Sequence, residues 1–558
     1  MALFINAMLA LLLTGLFIWR NGAVNYVGGD AEYYYYYLRS AFVSPEWIQA
    51  DWLTSPIGLH HHPIGVSILL LPFFLLAYAY ASITGYALDG VSAPFQVSVV
   101  LAAIVYMLIG FHYFRKLCRE NQLSDMATAI MILLMFAGTN LLHYTVSEAG
   151  MSHVYSFAAI SAFLYFSFRF TKEVTNSSMV RAAFALGMVL LIRPNNVFVV
   201  LLPALWFGSF RQGLEFIRYR VSRTQWLLAC IIPFTLLLLQ LVYWRIKEGA
   251  WYSDRYAGFG FDWLHPHFLD MLFGFNAGFF IYTPLCLICL FGLLSLFKRS
   301  AFAFLVGSVF LLVLFYFLSS YSAYTYWDGL GIRVLVDYYA YFGFLGAGLF
   351  HSMYVNKLLW TLMLSLALIS SAIGFVYFYQ ANTSILLRAG MTFEKWKYIF
   401  LRTDKTYQNA IGGANDITPM QTEENNLLLS DSLRGSFDYT DKDYGVLLGF
   451  DSLKANTNRV QLEIDVTRVE KQLRASSEAL ICVVAENKRS KTNKYFTSFK
   501  LNSVPAESCC EPRTFHHRLT ANGSFSADDT WSVFIWNTKL QPFAITSLRV
   551  KIKNYPIN

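Results

Sequence analysis

Apolar stretches of near membrane-crossing length alternate with short polar loops along residues 1 to about 380, and the remainder changes to short alternating segments. A helix needs about 20 apolar residues to cross the hydrocarbon core of a bilayer. Residues 2–19 (ALFINAMLALLLTGLFIW), 96–114, 126–142, 153–170, 225–244, 278–297, 301–318, 334–350 and 358–378 approach that length. Residues 2–19 lack a basic leader and a small-residue cleavage site, so they read as an uncleaved helix. Residues 63–84 are apolar but broken by Pro72, and read as a juxtamembrane or re-entrant segment. Residues 182–209 are too long for one upright helix and carry Arg193-Pro194-Asn195-Asn196 at their centre. Proline disfavours helix at the residue before it, so two short helices are expected to meet at that tetrad. The pattern predicts about 11 spans.

Beyond 380 the period changes. Residues 380–440 are polar and irregular and read as a linker. From about 441 to 558 come V-Q-L-E-I-D-V, A-L-I-C-V-V-A, K-Y-F-T-S-F-K-L, W-S-V-F-I-W-N and I-T-S-L-R-V-K-I, separated by turn residues. In residues 460–466 every second residue is apolar, as a half-buried strand requires. Several such strands predict an all-β sandwich. Residues 531–537 are denser, as in a strand covered on both faces.

Composition supports the first part of this picture. The 558 residues are 56% hydrophobic and 14% charged, with mean hydropathy +0.44. Soluble chains carry about a quarter charged residues, so this is a polytopic α-helical membrane protein with room for one further domain. The net charge of +8 is no sign of nucleic acid, because the basic residues gather in short loops between spans. Those loops hold Arg115, Lys116 and Arg119; Arg169, Lys172 and Arg181; Arg211, Arg218, Arg220 and Arg223; and Lys298 with Arg299. If spans alternate, all four fall on one side, and the excess of Lys and Arg makes that side cytoplasmic. The seven cysteines show no metal spacing; Cys509 and Cys510 are adjacent, and Cys482 is a candidate partner for one of them.

The opposite loops carry the unusual chemistry. The first, residues 20–62, places Asp30 and Glu32 beside five consecutive tyrosines, Tyr33 to Tyr37, and ends on His60-His61-His62. Carboxylates and histidines are costly near a bilayer, so their clustering asks for a purpose. The second outer loop has Glu148 and His153, the third Asp254 and Arg255, and the fourth Trp327, Asp328 and Arg333. The tyrosine run reads as an interfacial belt or as a surface for stacking sugars.

Five motifs carry a resemblance. They are Gly29-Asp30-Ala31-Glu32; His62-Pro63-Ile64-Gly65, similar to H-P-P-x-G; Leu191-Ile192-Arg193-Pro194; residues 278–284 (GFFIYTP), similar to G-L-L-x-Y-x-P; and residues 327–333 (WDGLGIR), similar to W-x-G-x-x-G-x-R. In this order and sidedness, residues 1 to about 380 resemble the C-type (GT-C) glycosyltransferases, which use polyprenyl-phosphate-linked sugars, as in protein O-mannosyltransferases and lipid A aminoarabinose transferases. Ile64 replaces the second proline of H-P-P, and Glu148 stands where many relatives have Asp. Residues 534–550 resemble the last strands of jelly-roll modules.

The resemblance implies inverting transfer of a sugar from a polyprenyl phosphate to a hydroxyl of a glycan, lipid or protein, on the non-cytoplasmic face. That reaction needs a base for the acceptor proton and positive groups for the leaving phosphate. Asp30 is the expected base, with Glu32 and Glu148 as further carboxylates near the acceptor. Arg333, Arg193, His61, His62 and His153 are candidates for the donor phosphate. Tyr33, Asp254, Trp327 and Asp328 are candidates for the acceptor or sugar. A divalent cation, Mg or Mn, is a possible cofactor. The partners implied are the lipid-linked donor, the acceptor and membrane lipid, and no nucleic acid. Two other classes stand beside this one: a transporter or flippase of a lipid-linked sugar, which would place ionisable residues deep in the bilayer, and a non-catalytic sugar-binding protein.

Overall fold

The computed structural model describes residues 26–27, 30–43, 62–251, 260–326, 329–388, 390–413, 427–433, 435–450, 457–472, 478–505, 509–526 and 528–554. Two compact units emerge. One holds the helices as far as Phe378; the other holds Tyr379 to Asn558, with the short segments Gly274–Gly278 and Trp327–Gly329.

In the helical unit the chain runs through α1 Asp30–Phe42, α2 Gly65–Thr84, α3 Ala93–Glu120, α4 Asp125–Gly138, α5 Leu141–Val146, α6 His153–Lys172 and α7 Asn176–Ile192. A 3-10 helix, Pro194–Trp206, precedes α8 Phe210–Tyr219 and α9 Arg223–Glu248. Then follow α10 Phe268–Phe273, α11 Phe279–Tyr282, α12 Pro284–Leu290, α13 Leu293–Arg299, α14 Ala301–Ser320, a second 3-10 helix Arg333–Tyr338, α15 Tyr339–Met353 and α16 Lys357–Asn382. Six of the described helices are long and apolar enough to cross a membrane, or seven if the pair Pro194–Trp206 and Phe210–Tyr219, bent by 98°, is one span. The chain is thus an integral membrane protein.

The span reading differs from the structure in four places, besides residues 2–19, which lie outside the described residues. Residues 63–84, expected at the membrane edge, form one helix of crossing length that carries Pro72 inside it. Residues 126–142 stop at Gly138, because the Thr139 hydroxyl bonds back to the Met135 carbonyl (2.7 Å) and Asn140 reaches the Leu330 carbonyl (2.5 Å). Residues 278–297 divide into three short helices. One break falls at Pro284, which has no N–H to give. The other falls at Gly292, where any side chain would collide with the backbone of Leu345. Residues 334–350 begin as 3-10 helix and turn α-helical only at Tyr339. The break at Arg193 is where the sequence places it: α7 ends at Ile192, and Arg193 is extended (φ −149°, ψ 102°) before Pro194.

Three basic clusters meet at one end of this bundle. Arg169 on α6 pairs with Glu120 at the end of α3 (3.1 Å). Arg299 donates to Asn121 (3.0 Å) and lies over the Trp206 ring. The other end of α6 begins with His153, and the other end of α7 leads into Arg193.

The second unit begins with α17 Phe393–Ile399 and continues into nine strands: β1 Leu427–Ser432, β2 Phe437–Asp438, β3 Tyr444–Phe450, β4 Thr457–Glu470, β5 Leu480–Asn487, β6 Asn493–Lys500, β7 Pro512–Phe525, β8 Asp529–Trp536 and β9 Phe543–Asn554. One antiparallel sheet has the order β1-β9-β4-β7, with β2 also on β9; the other is β3-β8-β5-β6. Their inward faces share a single core that includes Val460, Leu462, Ile464, Val533, Ile535 and Val550, so the unit is a β-sandwich. It starts earlier than its sequence suggests, since β1 and β2 fall within residues read as linker. The dense strand β8 is not covered on both faces. Trp531, Val533 and Ile535 point into the core, while Trp536 lies outside, stacked on Tyr444 at 5.7 Å. Cys509 and Cys510 are bonded to each other, and Cys482 is free and buried on β5, so the bridge from Cys482 does not form.

Candidate functional site

Helix α1 opens with two acids, Asp30 and Glu32, which suits the positive end of a helix dipole. Its helical period puts Asp30, Tyr33 and Tyr34 on one face. The tyrosine run is no belt: Tyr34 to Tyr37 are all buried. Tyr35 packs edge-on to Phe74 of α2 (5.7 Å). Tyr37 donates to the His62 carbonyl. Tyr33 is half-buried, and its ring stacks on His62 at 4.5 Å, with Tyr34 edge-on to the same imidazole at 5.2 Å. Burial pushes the Glu32 carboxyl up from its usual range, against the pull of Arg39.

Arg333 begins the second 3-10 helix. Gly331, two residues earlier, has φ +68°, a conformation that glycine takes without steric cost. The turn brings the Arg333 Nη2 to 2.7 Å from Asp30 Oδ2, across 303 residues of chain. Arg333 is only 13% exposed and Asp30 42%. Glu148, Tyr144 and Arg193 lie within electrostatic reach of the same guanidinium. Glu148 also stands 3.6 Å from His143 Nε2.

A second ionic cluster lies behind this pair. Asp337, fully buried, accepts from Asn196 Nδ2 (2.8 Å) and meets His153 Nδ1 (2.9 Å) and Arg193 Nε (3.3 Å). Arg193 also donates to the Ser152 hydroxyl (3.1 Å), which receives the Tyr34 hydroxyl (3.3 Å). Tyr338 donates to Asn196 Oδ1 (2.9 Å). One connected network thus joins α1, the α6 N-terminus, the α7 break and the second 3-10 helix.

The structure brings Asp30, Glu148, Arg193, Arg333, His153, Tyr33 and His62 to one end of the helical unit. His153 faces Asp337. His61, Asp254, Trp327 and Asp328 lie outside the described residues. Among the described residues no three His, Cys, Asp or Glu side chains gather into a metal-binding group. Asp337 and Ser152 were not singled out in the sequence, and Asn196 was read only as part of the helix break. The available signal was an acid inside the apolar run 334–350, a placement that is costly unless a partner is near.

Gly65 shows why a glycine closes His62-Pro63-Ile64-Gly65. A Cβ there would lie 2.6 Å from the backbone of Leu191 and Ile192, next to Arg193. Backbone cannot move aside cheaply. Gly65→Ala is therefore expected to cost ~1–3 kcal/mol, as overpacking does, and to displace Arg193. A fall in the thermal unfolding midpoint of the detergent-purified protein checks this; a midpoint equal to that of the parent contradicts it.

No family model matches the chain, and no curated protein matches it. Among solved structures it is similar to the archaeal oligosaccharyltransferase AglB from Archaeoglobus fulgidus, solved with an inhibitory peptide and a dolichol-phosphate. The identity is 14% over 68% of this chain and 55% of that one, with TM-score 0.38. It is also similar to the arabinosyltransferase EmbB from Mycobacterium smegmatis, at 9% identity over 81% of this chain and 57% of that one, with TM-score 0.31. The chain thus spans a little over half the length of either structure.

Proposed function

We propose that the helical unit transfers a sugar from a polyprenyl-phosphate donor to a hydroxyl on a glycan, lipid or protein, with inversion at the anomeric carbon. The Asp30–Arg333 pair carries this reading: a half-exposed carboxylate held 2.7 Å from a guanidinium that is itself shielded. Arginine offers a planar, permanently charged fork that matches two phosphate oxygens. A donor phosphate arriving at Arg333 competes with Asp30 for it, and the displaced carboxylate becomes a free base beside the bound sugar. The acceptor oxygen then bonds to the anomeric carbon on the face opposite the phosphate, and its proton passes to Asp30. The carbon–oxygen bond to the phosphate breaks, with its electron pair staying on the phosphate. Arg333, with Arg193 behind it, offsets the charge that grows there. The phosphate leaves as an anion, so no general acid is required.

Glu32 and Glu148 orient the acceptor in this scheme, and the Tyr33–His62 stack offers a flat wall for the sugar. Asp337, with His153 and Asn196, is a positioning group for Arg193. The reaction runs on the face away from the cytoplasm, because the basic clusters lie at the opposite end of the bundle and such clusters favour the cytoplasmic side.

Arg333→Lys tests the phosphate assignment. Lysine keeps the charge and loses the fork, so donor affinity is expected to fall roughly tenfold or more, the size of a lost charge-assisted hydrogen bond. Equilibrium binding of a synthetic polyprenyl-phosphate sugar to the purified protein measures this. Parental affinity in Arg333→Lys and Arg333→Ala alike would sink the assignment.

A further inference from the structure

A cavity of about 380 Å³ lies at the basic end of the helical unit, within the range of roughly 300–1,000 Å³ typical of small-ligand sites. Its wall includes Ala183 on α7, Pro203 on the first 3-10 helix, Leu214 on α8 and Trp226 on α9. Ser167 and Thr171 on α6 are the polar side chains of that wall. Nothing in it is suited to a sugar or a free phosphate, and a hydrocarbon chain fits its chemistry.

Helix α8 forms one side. It turns 98° away from the preceding 3-10 helix, and none of its residues is buried. Phe210, Leu214 and Ile217 repeat at helical spacing and border the cavity, while Arg211, Glu215 and Arg218 repeat one position later. Arg211 is tied to Glu215 at 2.8 Å. Arg218, Arg220 and Arg223 are exposed and flank the lining residues Ile217, Val221 and Trp226. A short helix with an apolar face and arginines beside it is built to lie at the lipid headgroup level, where basic residues attract anionic lipid.

We propose that this cavity takes an acyl chain of an anionic phospholipid, whose headgroup phosphate is met by Arg218, Arg220 and Arg223. The site is separate from the Asp30–Arg333 end. Ser167 and Thr171 lie 14 and 18 residues after His153 on the same helix, about 21 and 27 Å along it at ~1.5 Å per residue.

The test uses the full chain in a mild non-ionic detergent, titrated with phosphatidylglycerol or with phosphatidylcholine of the same acyl chains and followed by native mass spectrometry. One phosphatidylglycerol per chain is expected to be retained, and phosphatidylcholine at least tenfold more weakly. Each basic residue near an anionic headgroup contributes enough that replacing three should weaken binding by about a hundredfold. Arg218→Gln, Arg220→Gln and Arg223→Gln together should show that loss with an unchanged unfolding midpoint, since all three are exposed. Leu186→Trp, which fills the cavity, should lose phosphatidylglycerol with the arginines intact. Equal retention of both lipids, or parental retention by the triple-arginine variant, overturns the proposal. So does displacement of phosphatidylglycerol by a polyprenyl phosphate at equal affinity, which would make the cavity the seat of a donor tail.

Discussion

Asp30→Asn is expected to lower turnover by ~10²–10⁴, the usual contribution of a positioned general base, while donor binding holds or tightens. The split between the two follows from the pair. Asp30 occupies the Arg333 guanidinium at 2.7 Å, so in the proposed reaction a donor phosphate would first displace an anion. Asparagine keeps the size but carries no charge, and it competes more weakly. A carboxylate whose only task was to cap α1 or to anchor Arg333 would leave turnover within a fewfold of the parent. Transfer from a synthetic polyprenyl-phosphate sugar to a hydroxyl acceptor, measured beside equilibrium donor binding, separates these cases. If turnover and donor binding fall together, Asp30 is a donor-site residue and the base lies elsewhere, with Glu148 a second carboxylate in electrostatic reach of the same arginine. Asp30→Glu lengthens the side chain by one methylene and should recover part of the rate only if proton transfer is the function.

Individual chemical groups were legible in the sequence; their partners were not. Asp30 and Arg333 stood out because charge at the edge of an apolar span needs a reason, yet nothing in a linear pattern says that they touch. The break at Arg193 was legible because proline leaves a local mark on the residue before it. Asp337 was hidden by the opposite effect: Val334, Leu335 and Val336 precede it, Tyr338 and Tyr339 follow, and the run reads as membrane. Helix lengths were overstated wherever tertiary bonds end a helix early, as Asn140 does by reaching the Leu330 carbonyl. The β-sandwich showed through its two-residue period, whereas β1 and β2 carry no such pattern and are strands because β9 offers them an edge. Residues 531–537 read as covered on both faces because apolar side chains crowd them, yet only the inward or outward parity of each residue decides its place.

The largest stability effect is expected at Asp337. Its carboxylate is fully buried and takes contacts from His153, Asn196 and Arg193 at 2.9, 2.8 and 3.3 Å. Removing one partner of a buried ionic cluster costs about 3–5 kcal/mol, because a charge is left without its counterpart in a poorly solvated place. Asp337→Asn does this with almost no change in volume. It also leaves one carbonyl oxygen where the Asn196 amide and the Arg193 guanidinium, both obligatory donors, met a carboxylate. The unfolding midpoint in detergent should fall steeply, and donor affinity should fall in the protein that remains folded, because Arg193 loses the carboxylate that fixes its direction. A compensating pair separates the structural effect from the functional one. Arg193→Met with Asp337→Leu removes both charges and fills the space with apolar side chains, an exchange that is often neutral or stabilising for buried pairs. The double variant should regain much of the lost midpoint while donor binding and turnover stay low, since the second arginine behind the phosphate is gone. Recovery of turnover together with the midpoint would mean that Arg193 and Asp337 only hold the α7 break in place, and that Arg333 meets the phosphate alone.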